Sequence, residues 1–80
     1  MKLEVRLFGG LYCKNEGLTC FGQNDFFLEA PDGITVQGLH KLLDLRAIPL
    51  LTAVNGTVEK KDRPLSDNDR VGIFPPIAGG

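Results

Sequence analysis

Asn55-Gly56, set between the runs 50–54 and 57–59, constrains this chain more than any other dipeptide in it. A two-residue type I′ turn requires φ > 0 at both central positions, and Asn followed by Gly meets that demand at the lowest steric cost. Residues 50–59 are therefore predicted to form a β-hairpin. Two strands alone are marginal in water, so the hairpin must join a larger sheet with an apolar layer across one face. The other strands are readable from alternation. Over residues 2–8, Leu3, Val5 and Leu7 fall on one side and Lys2, Glu4 and Arg6 on the other, and Gly9-Gly10 ends the run. Residues 25–30 give a second strand, closed by the turn sequence Pro31-Asp32-Gly33. Residues 70–74 give a last one, entered from Ser66-Asp67-Asn68-Asp69 and stopped by Pro75-Pro76.

One helix completes the set. Thr35 is a suitable N-cap, and Val36, Leu39 and Leu43, with Leu42 beside them, form an apolar stripe that predicts about three turns ending near Arg46. Gly38 inside it costs up to about 1 kcal/mol relative to Ala, so this helix must depend on packing against the sheet. Strand, strand, helix, hairpin, strand is the order of an α+β domain of the β-grasp type: a mixed sheet of four to five strands with one main helix on one face. Residues 1–75 are assigned to that domain and residues 76–80 to a flexible C-terminal tail ending in Gly79-Gly80.

Eighty residues allow one domain, and folding at this size hides only about 60% of the unfolded chain's surface, which argues against a deep enclosed active site. Function is expected on the surface. Nine Lys plus Arg against ten Asp plus Glu leave a net charge of −1 and no basic field for a phosphate backbone, so no nucleic-acid partner is expected. The longest mostly apolar run, 48–54, falls far short of the roughly 20 residues that cross a bilayer, and the first residues begin no signal peptide. No membrane association and a cytoplasmic location are the corresponding expectations. Cys13 and Cys20 are too few for a disulfide scaffold or a four-thiolate metal site and are read as reduced packing residues of the one long loop, 9–24, with a redox pair or a shared metal site as the alternative. His40 sits beside the helix stripe as a half-exposed packing residue, and Asp67-Asn68-Asp69 lacks the later ligands of a calcium loop. Lys60, Lys61 and Arg63 form a basic, solvated cluster. No metal site and no self-contained catalytic set is read from the chain.

Three runs carry a family resemblance: Ala53-Val54-Asn55-Gly56, then Pro64-Leu65-Ser66-Asp67-Asn68-Asp69-Arg70-Val71, then Phe74-Pro75-Pro76-Ile77-Ala78-Gly79-Gly80. Together they resemble the ubiquitin-like sulfur carriers of the MoaD/ThiS family, closest to the small subunit of molybdopterin synthase. The loop 9–24 with its two cysteines is longer than that pattern. The resemblance implies a carrier or cosubstrate, not itself an enzyme. Its Gly80 carboxylate would be adenylated by an ATP-dependent activating enzyme of the ubiquitin-activating type and converted to a thiocarboxylate, which donates sulfur in molybdopterin or tungstopterin assembly. ATP is then used by the partner, and no cofactor is held permanently. A downstream synthase subunit or other sulfur-acceptor enzyme is the second implied partner. Phe8, Val58 and Phe74 fill positions where the family contacts both partners, and strand parity independently sends Phe8 and Phe74 to the solvent face. Pro75, Pro76, Ile77 and Ala78 lead to Gly79 and Gly80, whose missing Cβ atoms suit a narrow channel. Residues 76–80, at about 3.3 Å each, reach roughly 16 Å. Three alternatives stay open: a carrier for thiamin thiazole synthesis, a ubiquitin-like protein modifier, and a plain β-grasp interaction module.

Overall fold

The protein is described here from a computed structural model covering residues 1–46 and 49–75. Five strands and one helix follow the chain as β1 (Lys2–Leu7), β2 (Asp25–Glu29), α1 (Val36–Leu42), β3 (Leu51–Val54), β4 (Thr57–Glu59) and β5 (Arg70–Phe74). The strands form one sheet in the order β2-β1-β5-β3-β4. Among the described residues only β1 and β5 run parallel, with Val5 opposite Val71 and Leu7 opposite Ile73; the other three pairings are antiparallel. This is the mixed five-stranded sheet of a ubiquitin-like β-grasp, as the order of elements predicts.

Alternation decides which face is buried. Leu3, Val5 and Leu7 of β1, Phe26 and Leu28 of β2, Thr52 and Val54 of β3, and Val71 and Ile73 of β5 are all buried, and Val36 and Leu39 of α1 join them in one core. Each fully buried aliphatic side chain contributes about 2 kcal/mol, so the helix is held by what it covers. The opposite face carries Glu4, Arg6, Arg70, Gly72 and Ala53, the out-of-phase residues of the same strands. The hairpin turn has Asn55 at φ 52 and Gly56 at φ 86, the predicted type I′ signs. Asn55 also does more than turn: its side chain accepts from the Arg70 amide at 2.9 Å and donates to the buried Asp69 at 2.9 Å, tying the hairpin to the start of β5.

The helix is shorter than the stripe suggests. It has seven residues, about two turns, with Leu43 as C-cap, and Asp44 at φ 57 ends it. Leu43 and Leu45 are still buried, so the apolar spacing runs past the last helical residue. So short a helix needs its ends tied by the rest of the chain. At the N-terminus, the amide of Gly38 donates to Thr35 Oγ1 at 3.1 Å, that of Val36 to Arg63 O at 2.9 Å and that of Gln37 to Lys61 O at 2.8 Å. At the C-terminus, the Lys14 amide donates to Leu43 O at 3.0 Å and Asn15 Nδ2 to Leu42 O at 2.7 Å. The long loop between β1 and β2 thus supplies donors to the last carbonyls of α1. Arg63 leaves the basic cluster to pair with Glu59 at 3.0 Å.

His40 shares a hydrogen bond of 2.7 Å between Nε2 and the hydroxyl of buried Thr52. Burial of the imidazole lowers its pKa from 6.5. The folded state therefore resists protonation that the unfolded chain accepts, and stability present above pH 6.5 declines as pH falls through that value towards the depressed pKa. Urea midpoints at pH 7.5 and pH 5.5 are expected to differ more for the native chain than for His40→Gln, the lower midpoint lying at the acid pH; equal shifts in both would contradict it.

Candidate functional site

The solvent face of the sheet becomes apolar at the end where β5 leaves it. Phe8 follows β1 by one residue and Phe74 closes β5, and because β1 and β5 are parallel and in register, the two rings arrive side by side. They stack with centroids 4.5 Å apart and planes 3° from parallel. Gly72 makes room for them: a Cβ there would lie 3.3 Å from Phe8 Cε2 and 3.5 Å from Phe74 Cε1. Phe8 is 37% exposed and Phe74 half-buried, so the parity reading that sends both to the solvent face holds.

Leu51, opposite Phe74 in the β3–β5 register and 46% exposed, extends the patch. Sequence reading missed it, although its phase against buried Thr52 and Val54 carries the signal. Val58, 59% exposed, lies across the sheet on β4 opposite Ala53, which is opposite Gly72. Val58 is thus on the same face but two residues along and two strands across from Phe74. An open groove of about 690 Å³ runs alongside, lined by Phe8, Gly9, Pro49, Leu50, Leu51 and Phe74 and bounded by Pro75. Glu4, Arg6 and Arg70 border the patch farther along the sheet, with Arg70 Nε 3.9 Å from Glu4 Oε2.

Pro75 is placed by Gly9. Gly9 has φ +66, and a Cβ on it would lie 2.7 Å from Pro75 Cδ and closer still to Cγ. The turn after β1 therefore lets the chain leaving β5 pass against its backbone at the edge of the aromatic patch. Pro76, Ile77, Ala78, Gly79 and Gly80 lie outside the described residues. In sequence, Gly79 and Gly80 are the fourth and fifth residues after Pro75.

Cys13 and Cys20, read from sequence as packing residues, are both buried in the core and carry thiols. Among the described residues, no group of three or more His, Cys, Asp or Glu side chains is placed to hold a metal ion. Among the same residues, no helix is long and apolar enough to cross a membrane.

Comparison with known proteins agrees with this architecture. A 31-residue segment is 55% identical to the molybdopterin synthase sulfur carrier subunit of Escherichia coli K12, covering 39% of this chain and 38% of that protein's length. The crystal structure of small archaeal modifier protein 1 from Haloferax volcanii superposes with a TM-score of 0.67 at 15% identity, over 95% of this chain and 98% of that one. A protein–protein complex of subunits 1 and 2 of the molybdopterin-converting factor from Helicobacter pylori contains a chain that matches with a TM-score of 0.60 at 24% identity, over all of both chains. At such identities the two structures establish a shared fold. The ThiS family matches residues 5–80, which takes in β1 from Val5 onward, the aromatic pair and the glycines beyond β5, and the chain belongs to that family.

Proposed function

We propose that this protein is a sulfur carrier whose Gly80 carboxylate is activated and converted to a thiocarboxylate, and that the sulfur is delivered in molybdopterin or tungstopterin assembly. The observation that carries the reading is the Phe8–Phe74 stack, exposed beside the strand from which Gly79 and Gly80 depart, in a chain of the ThiS family. The segment in common with the E. coli sulfur carrier subunit supports the pathway.

A carboxylate resists nucleophiles, so the chemistry begins with its activation. One Gly80 oxygen attacks the α-phosphorus of ATP on an activating enzyme and pyrophosphate departs. A sulfur nucleophile then attacks the acyl carbon of the mixed anhydride and expels AMP, which keeps one of the original carboxylate oxygens. Apart from that carboxylate oxygen, none of these steps asks for a base or a nucleophilic side chain on the carrier. The carrier contributes the reacting carbonyl, a glycine approach free of Cβ atoms, and a surface that docks. Phe8, Phe74 and Leu51 provide uncompensated apolar area at the root of the tail, with Val58 at its margin and Pro75 setting the direction of departure. Pro76, Ile77 and Ala78 span the distance to Gly79 and Gly80. The same patch is suited to a synthase subunit that takes the sulfur, in keeping with a solved complex of two converting-factor subunits in H. pylori.

Intact mass measured after incubation with a cognate activating enzyme, ATP and a sulfur donor tests this directly. Exchange of one terminal oxygen for sulfur is the expected result. Isopeptide conjugates to other proteins without that exchange would replace the carrier reading by a modifier, and an unaltered mass would reject both.

A further inference from the structure

The loop between β1 and β2 holds two sulfurs against each other. Cys13 and Cys20 are seven residues apart, buried in the core, with their Sγ atoms 3.1 Å from one another. The backbone around them is fixed on both sides: the Cys13 amide donates to Gln23 O at 2.9 Å, the Gly22 amide to Cys13 O at 2.8 Å and the Gln23 amide to Cys20 O at 2.9 Å. Gly22, at φ +81, turns the chain just after Cys20 so that Gln23 pairs back with Cys13. The loop that presents the pair is the one that caps α1 through Lys14 and Asn15.

The geometry points to a covalent modification site: Cys13 and Cys20 form an intraloop disulfide by exchange with a small-molecule disulfide of the glutathione type. One cysteine thiolate attacks a sulfur of the oxidant and expels one thiolate. The second cysteine thiolate attacks the protein sulfur of the mixed disulfide and expels the other. Two protein S–H bonds are lost as protons, one S–S bond forms in the protein, one breaks in the oxidant, and the oxidant is reduced to two thiols. Burial, followed by the Cys13 thiol beside it, pushes the Cys20 thiol up to about 12, so the closed loop keeps Cys20 protonated at neutral pH. Exchange therefore runs through opened states of the loop, and the finished bond is shielded from reductant by the same burial. The product is a clasp that sets slowly and closes the loop whose Lys14 and Asn15 donate to the helix end.

The test uses the full chain equilibrated in glutathione buffers from fully reduced to fully oxidised, quenched with an alkylating reagent and read by intact mass and peptide mapping. The expected result is loss of two hydrogens with no added glutathione, and a cross-link mapping to Cys13–Cys20. Stable glutathione adducts on either cysteine, or two alkylated thiols even in fully oxidised buffer, would overturn it. Melting of the unmutated chain in its two redox states needs no variant that must fold. The cross-linked form is expected to melt about 10 °C higher, and an equal or lower melting temperature after confirmed cross-linking rejects a bond that fits the folded loop. Both readouts are independent of the chemistry at Gly80.

Discussion

Adding one alanine after Gly80 is expected to abolish thiocarboxylate formation while moving the melting temperature by no more than about 2 °C. The extension shifts the terminal carboxylate about 3.5 Å beyond the position the partner's nucleotide must meet, and a displacement of about 1 Å already costs roughly a hundredfold. Intact mass after the loading reaction, compared with the unextended chain, measures the loss, and a thermal melt shows that the globule is unaffected. An extended chain that loads sulfur at the native rate would remove Gly80 from the chemistry. It would leave the docking surface untouched, so the two can be judged apart.

The second large effect belongs to that surface. Phe74→Ala is expected to weaken binding to the activating enzyme about 30-fold, because a half-buried aromatic at the centre of an apolar patch is the kind of residue that dominates an interface. It also removes the partner of Phe8, so stability should fall by about 1 kcal/mol. Phe8→Ala is expected to act in the same direction. The double change should cost less affinity than the two singles combined, since the rings pack on one another at 4.5 Å and share one environment. Val58→Ala, two strands across on β4, should have the smallest effect of the three. Titration calorimetry with the activating enzyme checks the series. Undiminished affinity for Phe74→Ala would move the contact elsewhere on the sheet.

What could be read from sequence was what short-range physics decides. Asn55-Gly56 announces its turn because the backbone signs it needs belong to those two residues alone. The strands announce their buried faces because each alternates within itself, as Leu3, Val5 and Leu7 do. The helix end was misjudged where short-range and tertiary signals part: Leu43 and Leu45 are buried as if the stripe continued, yet Asp44 has already left the helical region. Parity placed Phe8 and Phe74 on the right face but not against each other, since their stacking needs the parallel register of strands more than sixty residues apart in sequence. Leu51 was missed for the same reason. Its neighbour Phe74 is known only once β3 is paired with β5. The approach of Cys13 to Cys20 depends on a loop without periodicity, where Gly22 and hydrogen bonds to the helix end set the path.

The rims of the sheet bear on how such a molecule is released. The outermost strands are β2, with carboxylates at both ends in Asp25 and Glu29, and β4, only three residues long and closed by Glu59. Charged, abbreviated borders discourage a visiting strand from lengthening the ladder. In the proposed carrier role, attachment would then fall to side chains on the flat of the sheet, and separation would require no main-chain unzipping. A shuttle that must visit one protein, depart and visit another gains turnover from grip of that kind.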